Sequence, residues 1–200
     1  MGKHSMKPEG LPQGKLSIDV LEEQLQQERH KVRYRYALRT TIYTFLAVAA
    51  LAILIASLWM PVLEIYGNSM TPTLNEGEYV IAFKGSGFQQ GDVVAFYYNN
   101  KILVKRVIAG PGSWVDIKED GTVYVDSILL EEEYVKEKAL GECNLRFPYQ
   151  VPDGRYFVMG DHRATSIDSR NTAMGCITKE DILGKLVLRI WPLKEITGLN

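Results

Sequence analysis

Two residues of this 200-residue chain have the types and surroundings of a nucleophile and its base, Ser69 and Lys105. Ser69 follows Gly67 and Asn68, two residue types that readily adopt positive φ, in the turn sequence YGNSMTPTL. Such a turn exposes a hydroxyl and directs backbone N–H groups at one point, as an anionic tetrahedral intermediate requires. The simpler interpretation is an ordinary strand-to-loop turn, and for an isolated GxS sequence it is the commoner one.

Lys105 lies within the apolar sequence ILVKRVI, which has the character of a buried strand. Burial disfavours the ammonium form, and a base near neutral pH requires a lysine pKa about 2–3 units below its usual value of about 10.4. A neutral lysine amine can then accept the proton of a serine hydroxyl, an established alternative to histidine in nucleophilic catalysis. The competing interpretation is a lysine at a sheet edge whose stem packs while its ammonium group stays in water.

A third segment, residues 160–175, concentrates polar side chains in the sequence GDHRATSIDSRNTAMG. Ser166 supplies a further hydroxyl, and Asp168 and Arg170 are candidates for an ion pair within a polar loop. His162 is the single histidine in this half of the chain, so it is the only candidate base there for a Ser-His-Asp arrangement. The three histidines lie far apart in sequence and no glycine-rich phosphate loop is present, so neither a metal nor another cofactor is expected.

The element that precedes these residues is a membrane anchor. The 24 residues from Thr40 to Leu63 carry no charge, and roughly 20 apolar residues suffice to cross a bilayer as a helix. A core helix of a soluble protein is seldom so uniformly apolar. A cleavable signal peptide begins with a short basic region, whereas 39 residues precede this segment. We therefore predict a permanent transmembrane helix over residues 40–62.

The charges beside the anchor predict its orientation. The segment Arg29–Arg39, directly before the apolar run, contains five Lys or Arg residues and no acid. The positive-inside rule assigns such a flank to the cytoplasm. We therefore predict a single-pass protein of the cell membrane. Its cytoplasmic tail would span residues 1–39, disordered over residues 1–15 and helical at its basic end, and its extracytoplasmic domain would span residues 63–200.

Beyond the anchor, short runs rich in Val, Ile, Tyr and Phe predict strands. Asn99-Asn100 and Asp120-Gly121 are typical of hairpin turns. A net charge of −1 argues against a nucleic-acid-binding protein. The two cysteines, Cys143 and Cys176, exclude a disulfide-rich scaffold, and the sequence leaves open whether they pair. We predict one small, mostly β domain, with strands over residues 78–83, 92–98, 102–108, 122–126, 155–160 and 184–191.

Five segments resemble the bacterial type I signal peptidases, membrane-anchored serine–lysine proteases that remove signal peptides from exported preproteins. They occur in the order typical of that family, follow a single anchor and cover most of residues 62–193. The short chain between the lysine and the third polar segment is similar to the compact enzymes of Gram-positive type. The matching segments are SMTPTL (69–74), GDVVAF (91–96), VKRVIAGPGSWVDI (104–117), GDHRATSIDSR (160–170) and GKLVLRIWPL (184–193).

The resemblance implies a role for each candidate residue. Ser69 would be the nucleophile and Lys105 the general base, with Ser166 hydrogen-bonded to the lysine. Asp168 and Arg170 would form a structural ion pair beside the site. The main-chain N–H of Ser69 would contribute to the oxyanion hole. Some relatives add a serine hydroxyl two positions earlier, where this chain has glycine, so a second donor stays open.

The resemblance also implies a substrate and its binding pockets. Ile65, Met70 and Val104 would line shallow pockets for the small side chains of an A-x-A-like cleavage site. The partners would be exported preproteins and the lipid bilayer, with no nucleic acid and no cofactor. A monomer is the simplest expectation, although the sequence leaves the oligomeric state open.

Two departures from the family pattern keep alternatives open. His162 stands where the family has asparagine, and Ala109 stands where it has glycine. Histidine-based signal peptidases exist, but in them histidine replaces the lysine, and Lys105 is present here. The LexA-like self-cleaving repressors share serine–lysine chemistry, yet residues 1–39 are too short for their DNA-binding part. An inactive, anchored preprotein-binding homologue is the remaining alternative.

Overall fold

A computed structural model describes residues 18–85 and 87–199, and the chain divides into two units, residues 1–53 and 54–200. The first unit is described by helix α1, whose full extent is Ile18–Trp59. The helix runs without a break from the basic segment into the apolar run. It ends at Trp59, three residues before the predicted end at residue 62, because Pro61 cannot continue a helix and Val62 already belongs to a strand. The tail predicted to be disordered, residues 1–15, lies outside the described residues.

Helix α1 has the length and composition of a membrane span. Within Glu22–Trp59 the most apolar 18-residue window has a mean hydropathy of 2.3, and none of it is buried in the protein. A helix satisfies its own backbone hydrogen bonds, which is a condition for crossing hydrocarbon. The hydroxyls of Thr41 and Thr44 donate to the carbonyls of Ala37 and Thr40 at 2.9 and 2.7 Å. These polar side chains therefore need no water.

The second unit is built from antiparallel strands in two sheets. The larger sheet has the order β1-β2-β11-β3-β4-β9-β10, with β12 paired to β11, and the smaller has the order β7-β6-β5-β8. A 3-10 helix, Leu193–Glu195, lies between the last two strands. The strands are β1 (Val62–Glu64), β2 (Tyr79–Phe83), β3 (Val93–Tyr98), β4 (Lys101–Ala109), β5 (Trp114–Ile117), β6 (Val123–Val125), β7 (Ile128–Leu129), β8 (Tyr149–Gln150), β9 (Arg155–Met159), β10 (Ile177–Thr178), β11 (Ile182–Trp191) and β12 (Thr197–Gly198).

All six predicted strands are present, with ends that differ by no more than two residues, so the prediction of a mostly β domain after a single apolar helix is confirmed. The hairpin turn between β3 and β4 uses Asn99 and Asn100 at positive φ, 46° and 61°. The strands that the sequence did not predict have two to four residues each. Such short segments contain too few alternations for a period of two to be recognised.

Strand β4 has two faces that pack against different apolar clusters. On one face Val104 packs with Ile65 and Met70, beneath the turn that contains Ser69. On the other face Leu103 and Val107 pack with residues of β3 and β9. Since side chains alternate along a strand, Lys105 shares the second face, and this row of apolar neighbours explains why it is buried.

Two strand edges lack a partner near this point. Strand β4 pairs with β3 over Lys101–Arg106, but with β9 only from Arg106 to Ala109. Strand β1 pairs only with β2 in the described structure. Backbone groups of β1 and of the first half of β4 are therefore available to a further strand.

Candidate active site

Ser69 and Lys105 are in direct contact. Lys105 Nζ lies 2.7 Å from Ser69 Oγ, although the two residues are 36 positions apart in the chain. The charged ammonium donates this hydrogen bond, whereas a neutral amine accepts it from the hydroxyl. Lys105 is only 4% exposed, so the contact is largely shielded from water.

The surroundings of Lys105 favour its neutral form. Burial lowers the pKa of Lys105 to about 8; the charges of Asp168 and Asp161 oppose this shift and that of Arg170 adds to it. Among the described residues, no carboxylate forms a salt bridge with its ammonium group. With a pKa of about 8, roughly one molecule in ten carries the neutral amine at pH 7. This fraction is sufficient for general-base catalysis.

The turn that presents Ser69 is held by its own backbone. Gly67 adopts a φ of +78°, which favours glycine. The carbonyl of Asn68 accepts hydrogen bonds from the N–H and the hydroxyl of Thr71 at 3.1 and 2.8 Å. Within the described structure the N–H of Ser69 donates to no protein group. It is therefore free to donate to an oxyanion formed at the serine.

The loop that follows β9 lies against this turn. The N–H of His162 donates to the carbonyl of Ser69 at 3.1 Å. A Cβ atom at Gly160 would overlap both the Ser69 carbonyl oxygen and Ser166 Oγ, so this close approach requires glycine. Through these contacts the loop fixes the backbone of Ser69.

Asp168 and Arg170 form a fully buried ion pair. Arg170 Nε and Nη2 each donate to Asp168 at 2.8 Å, and both side chains are 0% exposed. Burial alone would raise the pKa of Asp168, but the hydrogen bonds and charge of Arg170 outweigh it and lower this pKa below its usual value. Asp168 also accepts the N–H of Gly160 at 3.0 Å. The pair therefore anchors the loop behind Ser69.

Two further arginines near the site were not predicted from the sequence. Arg106 donates to Asp161 at 2.9 and 2.6 Å, and its guanidinium lies 3.9 Å from the centre of the Tyr134 ring. Arg163 donates to both carboxylate oxygens of Glu132 and, at 3.0 Å, to the carbonyl of Gly160. The adjacent Lys-Arg of β4 was a signal for the first arginine. Nothing local indicated that residues 132 and 134 would be their partners.

The structure does not contain the hydrogen bond that the resemblance implies between Ser166 and Lys105. Ser166 is 1% exposed, and its hydroxyl makes no well-formed hydrogen bond, although it lies near enough to Asp168 to help lower the pKa of that carboxyl. The contact that Lys105 Nζ makes is with Ser69 instead. Among the described residues, Ser166 Oγ is the one buried side-chain oxygen or nitrogen without a well-formed hydrogen bond.

Ile65, Met70 and Val104 lie in one groove with the Ser69–Lys105 pair. This groove has a volume of about 660 Å³ and is bordered by residues 62–70 on one side and 100–105 on the other. Its walls therefore include the two strand edges that lack a partner. We call it the first groove.

The remaining residues singled out in the sequence do not enter the Ser69–Lys105 contact. The ring of His162 has its Nδ1 atom 2.8 Å from Thr165 Oγ1, within its own loop. Cys143 and Cys176 are both free thiols, so the disulfide left open by the sequence is not formed. Cys176 is buried, and its sulfur lies 3.9 Å from the hydroxyl of Tyr149.

Comparison with known proteins gives the family. The family described as signal peptidase, peptidase S26, matches residues 38–191. The chain is 34% identical over 167 residues to signal peptidase I U of Bacillus subtilis, covering 78% of this chain and 88% of that protein. It is 38% identical over 152 residues to signal peptidase IB of Staphylococcus aureus, covering 66% of this chain and 78% of that protein.

A crystal structure of a signal peptidase I from Enterococcus faecalis also matches, with 29% identity and a TM-score of 0.42, over 50% of this chain and 97% of that one. The family match extends from the end of the basic segment to the end of β11. It thus includes the apolar run, four of the five segments that resembled type I signal peptidases and the fifth as far as Trp191, and the resemblance is confirmed. The chain belongs to the signal peptidase family, peptidase S26.

Proposed function

We propose that this protein removes N-terminal signal peptides from exported preproteins, with Ser69 as nucleophile and Lys105 as general base. The observation that carries the proposal is the 2.7 Å contact between Ser69 Oγ and a buried lysine amine. Burial lowers the pKa of that amine to about 8, so a usable fraction is neutral at physiological pH. Family membership supplies the reaction class, a serine endopeptidase.

The reaction has two stages. In the first, the neutral Lys105 amine accepts the Ser69 proton as Oγ attacks the carbonyl carbon, and the Ser69 N–H donates to the resulting oxyanion. The ammonium then protonates the leaving amine as the peptide bond breaks. In the second stage Lys105 takes a proton from water as that water attacks the carbonyl carbon of the acyl-enzyme, and it returns the proton to Ser69 Oγ as the ester bond breaks.

The substrate binds as an extended strand in the first groove. Both walls of that groove offer unpaired backbone groups, those of β1 and of the first half of β4. Main-chain hydrogen bonds to such edges bind an extended peptide whatever its sequence. Ile65, Met70 and Val104 then select small side chains, because the groove floor they form is already close-packed.

Three residues support the pair without reacting. Ser166 is the hydroxyl assigned to hold Lys105 in position, since it is buried beside the site and makes no well-formed hydrogen bond elsewhere. The ion pair of Asp168 and Arg170 holds the loop that backs Ser69.

The chain acts as a monomer anchored in the cell membrane, where helix α1 crosses the bilayer from about residue 40 to its end at Trp59. The basic segment before the apolar run supports a cytoplasmic tail over residues 1–39 and an extracytoplasmic catalytic domain over residues 63–200. Anchoring confines the enzyme and its membrane-bound substrate to one surface, which raises their effective concentration.

The test is cleavage of a purified preprotein by the full chain in detergent or liposomes, between pH 6 and 10. The wild type should cleave at the signal-peptide junction, with a rate that rises through a pKa of about 8, the value set by burial of Lys105. Lys105→Ala should not cleave. Preprotein binding without cleavage by the wild type, beside an active control peptidase, would instead identify an inactive binding homologue.

A further inference from the structure

A second groove reaches Lys105 from another direction. It has a volume of about 410 Å³ and lies between the β3–β4 hairpin and the loop after β9. Lys101, Leu103 and Lys105 line it from one face of β4, while Ile167 and Met174 line it from the loop. The first three residues also border the first groove, but Ser69 does not border the second. The two grooves therefore adjoin along Lys101, Leu103 and Lys105, with Ser69 on the side of the first groove.

We propose that this second groove binds the residues that follow the cleaved bond, the first residues of the mature protein. The proposal rests on the proposed function, because it takes Lys105 as the group that protonates the leaving amine. It assigns a binding site for the part of the substrate that departs with that amine.

The position of the leaving amine restricts where the departing chain can lie. A proton is transferred over a hydrogen bond, so the amine nitrogen must come within about 3 Å of Lys105 Nζ. The residues that precede the bond occupy the first groove beside Ser69. The departing residues continue beyond Lys105, and the second groove borders Lys105 without bordering Ser69, so it offers them a surface separate from the part of the first groove that lies beside the nucleophile.

Another cavity in this part of the molecule does not meet this requirement. It has a volume of about 280 Å³ and is bordered by Thr71, Pro72 and the loop residues Asp161–Ala164. Neither Ser69 nor Lys105 borders it. A peptide bound there would not place its amino group at the lysine.

The walls of the second groove are formed before substrate arrives. The hydroxyl of Tyr98, at the end of β3, donates to the carbonyl of Ala173 at 2.8 Å and so ties the hairpin to the loop. Met174 and Gly175 donate their N–H groups to the carbonyl of Asn171 at 3.1 and 2.9 Å, which closes the loop into a turn. A preformed groove binds a peptide without first having to order its own chain.

The lining predicts which residues the groove prefers. Leu103, Ile167 and Met174 are apolar, and the side chain of Ile167 is 54% exposed, so it offers surface that a substrate residue would cover. Lys101 is the one charged residue of the lining apart from Lys105, and no carboxylate lines the groove. We therefore expect apolar residues to be preferred after the cleaved bond, and acidic residues to be preferred over basic ones.

The experiment compares preprotein-derived peptides that are identical before the cleaved bond and differ at the second residue after it, Leu, Gly, Glu or Lys. For the wild-type chain in detergent, kcat/KM should be about tenfold higher for Leu than for Gly, as expected for covering one aliphatic side chain. Ile167→Ala should reduce this ratio to about 2. Lys101→Gln should reduce the preference for Glu over Lys.

Ile102→Ala is the matched control, since Ile102 is an exposed isoleucine of β4 that borders the first groove and not the second. It should leave the Leu-to-Gly ratio after the bond unchanged. Each ratio compares two substrates on one enzyme, so partial unfolding of a variant does not alter it.

Two results would overturn the assignment. One is a Leu-to-Gly ratio that is the same in the wild type and in Ile167→Ala. The other is a response of Ile167→Ala to the second residue before the bond, which would assign the groove to the signal-peptide side. Absence of cleavage by the wild type would contradict the proposed function itself, a distinguishable outcome.

Discussion

Four cationic side chains are buried among the described residues of the β domain, and one of them differs from the other three in its partner. Arg106, Arg163 and Arg170 each donate to a buried carboxylate, and their guanidinium groups also reach backbone carbonyls. Lys105 is equally buried, at 4% exposure, but its partner is an uncharged hydroxyl.

The difference follows from what each side chain can do with its proton. A guanidinium stays charged at any physiological pH, so a buried arginine must be paired. A lysine can instead lose its proton, and burial without a carboxylate lowers the pKa of Lys105 to about 8. The three pairs hold the loop and the strand around the site, whereas the unpaired lysine has the lowered pKa that its proposed role as a base requires. The paired arginines therefore contribute stability, whereas the neighbouring lysine without a carboxylate partner has the pKa that reactivity requires.

The largest effect should come from removing the reactive pair. Lys105→Met and Ser69→Ala should each lower kcat for preprotein cleavage by about 10⁴-fold or more, because the two groups act as one unit. The double variant should be no slower than either single variant. Cleavage is followed by gel or mass spectrometry at pH 8.

The control for this experiment is Lys118→Met, which removes an exposed lysine whose partner is Asp116. It should retain wild-type activity. A Lys105→Met protein within tenfold of the wild-type rate would show that another group is the base.

Breaking one of the arginine pairs should cost stability. Glu132→Gln leaves the charge of Arg163 uncompensated in a site where both side chains are 0% exposed, and breaking such a pair typically costs about 3–5 kcal/mol. The free energy of unfolding, measured by chemical denaturation of the full chain in detergent, should fall by that amount.

Asp116→Asn, at the exposed pair with Lys118, is the comparison and should change stability little. If the two substitutions had equal effects, the buried arginines would not hold the site as their contacts indicate.

Removing the charge of Lys105 should raise the free energy of unfolding, whereas breaking an arginine pair lowers it. The pKa of Lys105 falls from 10.5 to about 8 on folding, so between these pH values the unfolded chain binds more protons and stability rises with pH. At pH 7 the penalty for burying the ammonium is about 3 kcal/mol. Lys105→Met should therefore be more stable than the wild type by up to about 3 kcal/mol at pH 7, while losing activity.

The pH dependence supplies the check on this prediction. The difference between Lys105→Met and the wild type should shrink as pH rises from about 8 towards 10.5, the interval in which the buried amine is already neutral while the same lysine in the unfolded chain still carries its proton. A difference that does not depend on pH would mean that packing, and not the buried charge, separates the two proteins.

Ser69 and Lys105, the proposed reactive pair, could be predicted from the sequence. Ser69 follows two residue types suited to a tight turn, and Lys105 interrupts an otherwise apolar strand. Both signals are local, and the family resemblance combined them. The longer strands were likewise predicted, because five or more alternating residues show a period of two.

Most partners of the buried arginines could not be predicted from the sequence. Glu132 and Tyr134 belong to the sequence EEEYVKEK, whose charge predicts a solvated segment. Glu132 is nevertheless buried, because it accepts hydrogen bonds from Arg163, which lies 31 residues later in the chain. No spacing rule connects residues that far apart, since only the three-dimensional fold brings them together.

Ser166 belongs neither to the Ser69–Lys105 pair nor to the buried arginine pairs. Its substitution gives the smallest predicted effect on activity and stability. Its hydroxyl is buried without a partner, a condition that typically costs about 1–3 kcal/mol. Ser166→Ala should therefore leave the free energy of unfolding unchanged or raise it slightly. If the hydroxyl steadies Lys105 during the reaction, as proposed, kcat/KM should fall roughly fivefold to tenfold, the value of one hydrogen bond.

Ser169→Ala is the matched control, because Ser169 lies in the same loop and its hydroxyl is fully bonded. It accepts the N–H of Val158 and donates to the carbonyl of Gly175, both at 2.9 Å. This variant should lose stability, since it removes the hydrogen-bond partner of the buried N–H of Val158 and of the half-buried carbonyl of Gly175. The two alanine variants should therefore move stability in different directions. A Ser166→Ala protein that lost stability without losing activity would place Ser166 with the structural pairs and leave Lys105 supported by Ser69 alone.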